Sequence, residues 1–434
     1  MSSAERPDIR SSWQLLVDRD FGVLFWGKTA SNFGTWSHNI VAAIVMYEVT
    51  GSAFLVGLIS VAQFLPQIVL TPFSGVITDR GNAKAQLVAG HVVSGLGALG
   101  LAGWIWAVGG TANLSGPAPI LISALVVGIG FVIFGPPSQA VVPSLVRREE
   151  LPPAMALNSV PMTVSRSIGP ALGAIIATQL GAAAGFAVAG AAFVACGLAL
   201  SFIRLPAVAR SAGDDLSLRS AAKHVWRDRP LFLLLLAITA VGAAAEPAVT
   251  LAPAITEFVG GSAALTGWIA SAFGGGAAVG LLLLRPMRTR YGLSRSATTG
   301  LFLMGAGLAV AALPFSAVLS LTGMAVGGVG MTLGLTNVTT LVQMRAPAAM
   351  RGRVMALWFL GFLGARPLGS MLSGFLTDIS SVAVALLVTA AGTFLVAWLS
   401  RPKALGAPRR PPPGGGRTPP AAAVGRLAGL REVS

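Results

Sequence analysis

Twelve stretches of this chain are apolar enough and long enough to cross a lipid bilayer: 21–48, 53–77, 85–108, 117–142, 156–180, 183–203, 231–257, 263–284, 296–313, 316–341, 354–377 and 381–400. A hydrocarbon core about 30 Å thick needs about 20 apolar residues at a helical rise of about 1.5 Å each. Lipid offers no partner to backbone polar groups, so runs of this length satisfy them internally as helices. Composition agrees: 54 % of the 434 residues are hydrophobic and 10 % are charged, against roughly 25 % charged in an ordinary soluble domain. A soluble enzyme, a disordered chain and a disulfide scaffold are excluded. Cys196, the one cysteine, permits no internal disulfide and no thiolate metal cluster. Residues 1–20 are polar and end in Asp18, Arg19 and Asp20, so no secretory signal is expected there.

A net charge of +15 would ordinarily point to nucleic acid, but the positions of the cations give another answer. Of the 30 Lys and Arg residues, all but Lys28, Arg166 and Arg366 lie in the two terminal segments or in loops that follow even-numbered spans. Those loops hold Arg80 and Lys84, Arg147 and Arg148, the run from Arg204 to Arg229, Arg285 to Arg295, and Arg345, Arg351 and Arg353. Loops after odd-numbered spans hold none. The positive-inside rule then places both termini in the cytoplasm, and the expected location is the cell membrane (plasma or inner), as a multi-pass protein. Trp26, Trp104, Trp106, Trp268 and Trp398 fall near span ends, the headgroup level that suits amphipathic rings.

The chain divides into a polar N-terminal segment (1–20), a first six-span half (21–203), a linker (204–229), a second half (230–400) and a basic, Pro/Gly-rich tail expected to be disordered (401–434). Within the linker, 216–229 reads as an amphipathic helix with Leu218, Ala222, Val225 and Trp226 on one face, suited to lying on the inner leaflet. The halves resemble each other. Residues 49–57 (VTGSAFLVG) and 259–267 (VGGSAALTG) share six of nine positions. At a constant offset of 200, Gly128 and Gly130 pair with Gly328 and Gly330, Met155-Ala156-Leu157 with Met355-Ala356-Leu357, Arg166 with Arg366, and Gly169 with Gly369. An offset of six spans preserves orientation, so the expected fold is all-α: 12 transmembrane helices in two parallel six-helix repeats around a central site.

At these residues the chain resembles the major facilitator superfamily over 15–400. Gly75-Val-Ile-Thr-Asp79-Arg80-Gly-Asn-Ala-Lys84 is similar to that family's G-x-x-x-D-R-x-x-R-[RK] loop, departing from it at Ala83. Gly169-Pro170-Ala-Leu-Gly173-Ala174 resembles the G-P-x-x-G-G motif of drug antiporters, with Ala174 in place of the last glycine. Leu157-Asn158-Ser159, Arg166, and Arg351-Gly352-Arg353-Val354 are similar to the branch of macrolide exporters and enterobactin-type exporters. The resemblance implies a usually monomeric, proton-coupled drug antiporter, with Gly75, Asp79, Arg80 and Lys84 as a cytoplasmic gate and spans 1, 4, 7 and 10 lining the cavity.

Residues 22–29 match the nucleotide-binding pattern G-x-x-x-x-G-K-[ST] literally, ending in Lys28 and Thr29. A working loop of that kind sits between a strand and a helix of a soluble domain; here Val, Leu, Phe and Trp fill it at the start of a membrane span, so no nucleotide is expected. Ionisable groups within spans default to functional candidates because they are costly there. Glu246 is the one carboxylate well inside a span, since Glu48, Glu257 and Asp378 fall at outer ends, and Pro247 beside it removes a backbone donor. Glu246 is therefore the leading candidate for proton coupling; the plainer reading is a carboxylate paired with a polar neighbour on another helix. His38 is a second candidate, against which stands the common buried, hydrogen-bonded histidine.

Lys28, Asn32, Thr35 and Asn39 form one helical stripe, flanked by Trp36 and His38, that suits a substrate-facing surface; Lys28 has the alternative of snorkelling to the inner face. Arg166 and Arg366, each followed by small residues three and seven positions on, either tie helices across the interface between halves or recognise an anionic substrate. Gln63, Gln67 and Asn337 complete the polar candidates. No metal-ligand cluster, nucleophile–base pair or soluble domain supports an enzyme. The function expected is secondary active export of an amphipathic drug, antibiotic or siderophore, partnered by protons and the bilayer and needing no cofactor or nucleic acid. The alternative is an importer or facilitator on the same fold.

Overall fold

Side-chain caps and glycines decide where the apolar runs begin and stop. Asn82 accepts the backbone N–H groups of Lys84 and Ala85, Asp228 that of Leu231, Ser316 that of Leu319 and Ser381 that of Val384, each satisfying a donor that a helix start leaves unpaired. Gly51 ends the first long helix in the left-handed region at φ 64°, where a side chain would be strained. The computed structural model describes residues 10–80, 82–203, 218–313, 316–347 and 350–405, and these hold helices and turns with no strand. In order the helices are α1 (Ser12–Leu16), α2 (Phe21–Thr50), α3 (Ala53–Arg80), α4 (Ala83–Ala107), α5 (Ala118–Ala140), α6 (Leu151–Leu180), α7 (Ala182–Ser201), α8 (Leu218–Arg227), α9 (Arg229–Ala244), α10 (Pro247–Thr250), α11 (Ala252–Phe258), α12 (Ala263–Tyr291), α13 (Leu293–Ala311), α14 (Ala317–Arg345), α15 (Arg351–Ile379), α16 (Val382–Leu399) and α17 (Pro402–Leu405).

Ten of these stretches are long and apolar enough to cross a membrane. Two expected spans form as helices but fall short of that measure. In α2 the stripe of Lys28, Asn32, Thr35, His38 and Asn39 lowers the hydropathy, and in α13 Ser294, Arg295 and Ser296 do so. The expected continuous span over 231–257 is broken into α9, α10 and α11, because Pro247 and Pro253 have no N–H to continue the ladder.

Packing follows one scheme twice. Helix α2 packs on α6 and α7, α4 on α5 and α7, and α3 on α5; six spans later, α9 packs on α15 and α16, α13 on α14 and α16, and α12 on α14. Two seams join the sets, α6 against α12 and α3 against α15. Both seams are made of small residues. A Cβ at Gly57 would come within 2.7 Å of the Ser370 carbonyl oxygen, and one at Gly267 within 2.5 Å of the Pro170 carbonyl, so bare backbone is what allows this approach. Large apolar side chains such as Leu198, Leu282 and Leu368 point outwards and are exposed, as are Trp26, Trp104, Trp106, Trp268 and Trp398 at helix ends.

The amphipathic segment is present as α8. Ala221 and Val225 are buried against α9 and α15, while Trp226 is exposed and stacks on Phe232. Ala222 is half-buried, and the Leu218 side chain and residues 204–217 lie outside the described residues. So does the tail from 406 onward. At the end of the bundle that carries the described termini, the terminal end, Arg10 grips Glu150 through Nε (3.0 Å) and Nη2 (2.8 Å). Glu150 also accepts the Arg147 N–H at 2.9 Å. These donors hold the Glu150 carboxyl down to about 2.

Candidate transport cavity

Glu246 sits at the break between α9 and α10, and its carboxylate is 4 % exposed. One oxygen accepts Arg366 Nε at 2.5 Å and the other accepts the Ser60 hydroxyl at 2.9 Å. Arg366 comes from the middle of α15, in the same set of helices, whereas Ser60 comes from α3 in the other set. The carboxylate therefore bonds across the seam. Arg366 also lies over the Phe64 ring, 4.1 Å from its centroid, a cation–π contact that suits a partly desolvated guanidinium.

A small cavity opens beside this group, lined by Trp36, Asn39, Ser60, Gln63, Phe64, Glu246, Thr250 and Arg366 together with aliphatic side chains. Polar atoms in its wall are partly linked: Gln63 Nε2 donates to Asn39 Oδ1 at 3.1 Å, and Gln67 Nε2 donates to the Gln63 carbonyl at 3.3 Å. Thr250 and Ser370 share a hydroxyl–hydroxyl bond of 2.6 Å.

The symmetric arginines have different surroundings. Arg166, in the middle of α6, lies between two rings, 5.1 Å from Trp36 and 5.1 Å from Phe273 of α12. It thus bridges the two sets by stacking, and among the described residues it has no hydrogen-bonded acceptor. The Trp36 indole N–H is buried and likewise lacks one.

Other residues singled out by the sequence are placed elsewhere. Lys28 Nζ donates to Asn158 Oδ1 at 2.7 Å and to the Ser138 carbonyl at 3.2 Å; it is not among the residues lining the cavity, and α5 and α6 supply its oxygens. His38 is fully buried between helices, 3.0 Å from the Ser123 hydroxyl and edge-on to Phe186. Thr35 bonds back to the Ser31 carbonyl, and Asn32 is half-buried on the same stripe. Asn337 is also not among the residues lining the cavity: it accepts Arg288 Nε at 2.5 Å and donates to the Leu333 carbonyl at 2.8 Å. Gly169 and Gly173 seat α6 on Trp36 and Ser37 of α2, and Pro170 is buried beside them. Gly75, Asp79 and Arg80 close α3 at the terminal end with side chains outside the described residues, and Lys84 opens α4 there, half-buried. Among the described residues no three His, Cys, Asp or Glu side chains come together as metal ligands.

Among the described residues, four sets of hydrogen bonds cross between the helix sets, from the middle to the far end, opposite the termini. They are Ser60 to Glu246, the Ala171 N–H to Ser271 Oγ at 2.9 Å, the Tyr47 hydroxyl to Glu257 at 2.5 Å, and a cap at Asp378. Asp378, near the end of α15, accepts the Ala53 N–H at 2.7 Å, the Phe54 N–H at 3.1 Å and the Ser52 hydroxyl at 2.5 Å. Sequence reasoning missed Ser60, Phe64, Thr250, Phe273 and Asp378 as functional positions. Ser60 and Phe64 were within reach, since they lie three residues before and one after Gln63 on a helix already credited with polar candidates; nothing local marks Phe273.

Comparison with known proteins fits this architecture. A family model described as transmembrane secretion effector matches residues 10–407. Macrolide efflux protein A of Streptococcus pyogenes is 24 % identical over 352 residues, covering 77 % of this chain and 84 % of that protein. Multidrug resistance protein MdtH of Klebsiella pneumoniae is 26 % identical over 336 residues, covering 75 % and 71 %. Among solved structures, a bacterial homologue of the human lysosomal transporter Spinster, inward-facing and unoccupied, superposes with a TM-score of 0.69 at 14 % identity, covering 92 % of this chain and 99 % of that one. The nucleoside transporter NupG gives 0.70 at 11 % identity, covering 87 % and 97 %. These structural likenesses speak to fold alone. A match of that length, on a bundle with a buried carboxylate at its central seam, places the chain in the transmembrane secretion effector family of the major facilitator superfamily.

Proposed function

We propose that this protein is a proton-coupled secondary transporter that exports an amphipathic small molecule by alternating access, as two like-oriented six-helix units rock about the central cavity. This reading includes twelve crossings, both termini in the cytoplasm, and closure on the outer side in the conformation described. The observation that carries it is the Glu246 carboxylate, which holds Arg366 in its own unit and Ser60 in the other. A proton on Glu246 removes acceptor capacity and weakens both bonds, so proton occupancy and closure of the seam become one equilibrium. Gly75, Asp79, Arg80 and Lys84 take the role of a cytoplasmic gate, and Gly169, Pro170 and Gly173 the close seat between α6 and α2. His38, already bonded to Ser123, is a packing residue in this scheme. The family description and the efflux names of the distant relatives support outward transport.

Everted membrane vesicles offered a panel of macrolides and dyes from outside test it. Uptake driven by an inward-acid vesicle interior is expected in the wild type and lost in Glu246→Gln. A variant that keeps the full gradient-driven rate removes Glu246 from the mechanism.

One observation favours a second reading, proton-linked import. Protonating Glu246 would leave Arg366 free to hold an anion, making proton and anion binding mutually supportive, which is the sign expected of co-transport. Accumulation of substrate by intact cells, rather than its exclusion, would select this reading.

A further inference from the structure

The middle of the bundle holds more positive charge than it neutralises. Arg166, Arg366 and Glu246 sit near the midpoints of their spans, two guanidiniums against one carboxylate, and Glu246 is committed to Arg366. Arg166 is within electrostatic range of both yet, among the described residues, it has no hydrogen-bonded acceptor and stacks between ring faces, Trp36 on one side and Phe273 on the other. Trp36 is 5 % exposed, lines the cavity, and keeps an indole N–H with no acceptor. A buried donor without an acceptor and a membrane-embedded cation without a counter-charge are both costly arrangements, and one ligand oxygen pair relieves both. The rings that flank Arg166 also offer flat apolar surface from each helix set.

We propose that Arg166 and the Trp36 indole N–H form the polar half of the cargo site, and that the cargo is a planar or aromatic amphiphile carrying a single carboxylate-like anionic group. The two arginines are thereby separated in role: Arg366 belongs to the carboxylate of the protein, Arg166 to that of the cargo. Guanidinium geometry suits the pairing, since its parallel N–H groups meet both oxygens of a carboxylate. Phe273 on α12 and Trp36 on α2 place the cargo against both units, so it is held where their relative motion is felt. This rests on reading the cavity as the cargo site, but not on the direction or the ion of transport.

The test uses the full-length protein in nanodiscs of zwitterionic lipid, which supply no anionic headgroup, and three probes of matched shape: 1-pyrenebutyrate, 1-pyrenebutanol and 1-pyrenebutylamine. A charge-assisted hydrogen-bonded pair corresponds to a preference of about tenfold or more. The carboxylate is expected to bind wild-type protein at least about tenfold more tightly than the alcohol, and the amine no better than the alcohol. Arg166→Met should bring carboxylate and alcohol to within about twofold of each other, and Arg166→Lys should keep part of the preference. Melting of the empty protein is the second readout, independent of any probe. Removing an unneutralised cation while keeping apolar contact with both rings should raise the melting temperature of Arg166→Met. An alcohol that binds as tightly as the carboxylate, a preference that survives in Arg166→Met, or a variant that melts at or below the wild type overturns the proposal. Neither readout uses a gradient, so the outcome is separate from that of the Glu246→Gln transport assay.

Discussion

Arg10 and Glu150 show how one ion pair can fix a segment to a helix bundle. Glu150 is fully buried and takes four donors, two from the Arg10 side chain and one each from the Arg10 and Arg147 backbones, beside an Arg10 to Asp18 contact at 2.6 Å. Its carboxyl, lowered from 4.5 to about 2, therefore stabilises the docked segment above its unfolded value and loses that contribution as pH falls towards the folded one. Protection of residues 10–18 against hydrogen exchange, relative to each amide's intrinsic rate, is expected to hold at pH 5 and to fall between pH 4.5 and about 2; loss of protection already near neutrality would show that the pair does not hold the segment. The residue scale is also where sequence reading reached its limit. Glu246, Arg166 and Arg366 stood out because charge is rare inside apolar runs, and all three lie at the centre. Their pairing was not legible: Arg366 meets Glu246 across 120 positions of sequence, whereas Arg166 meets rings on α2 and α12. Two arginines equivalent in the repeat thus differ in whether an acceptor is present.

At the scale of elements, the start of α3 and the end of α15 form a latch. The carboxylate of Asp378 caps an N-terminus that belongs to the other helix set, where the orphan N–H groups and the helix dipole both favour an anion. Asp378→Asn is expected to weaken the latch by about 1 kcal/mol, a roughly fivefold shift towards separation of the far ends. Spin labels at Ala112 and Leu313 in a Cys196→Ser background read this out as growth of a longer-distance population. An unchanged distance distribution would mean that the seam closes without the cap. From sequence Asp378 was merely a carboxylate at a span end, because a cap supplied by another helix leaves no local pattern. The breaks around α10 had a visible cause in Pro247 and Pro253, but periodicity in an apolar run does not register a missing N–H.

For the whole molecule, the cation asymmetry predicts that all far-end turns share one side of the membrane. Cysteines introduced at Ala112 and Ser262 should both react with an impermeant maleimide added to intact cells, and one at Lys403 only after permeabilisation. Cys196 is 1 % exposed, so the native background is quiet. Labelling of one far-end site from the opposite side would break the two-unit scheme. The overall arrangement was the most legible layer, since span length, charge sidedness and the offset of 200 residues are collective signals that survive local irregularity. The span count was less so: α2 and α13 are helices whose polar residues dilute the signal that marks their neighbours.

The seams have one further consequence. Along α3 against α15 and α6 against α12, backbone meets backbone at Gly57, Gly267, Gly274 and Gly374, with few teeth to mesh. Surfaces of that kind roll over one another with little friction, whereas interlocked leucines would need to be prised apart at each stroke. In the transport cycle proposed above, such surfaces would serve as smooth bearings, and a single added methyl group would be grit in them.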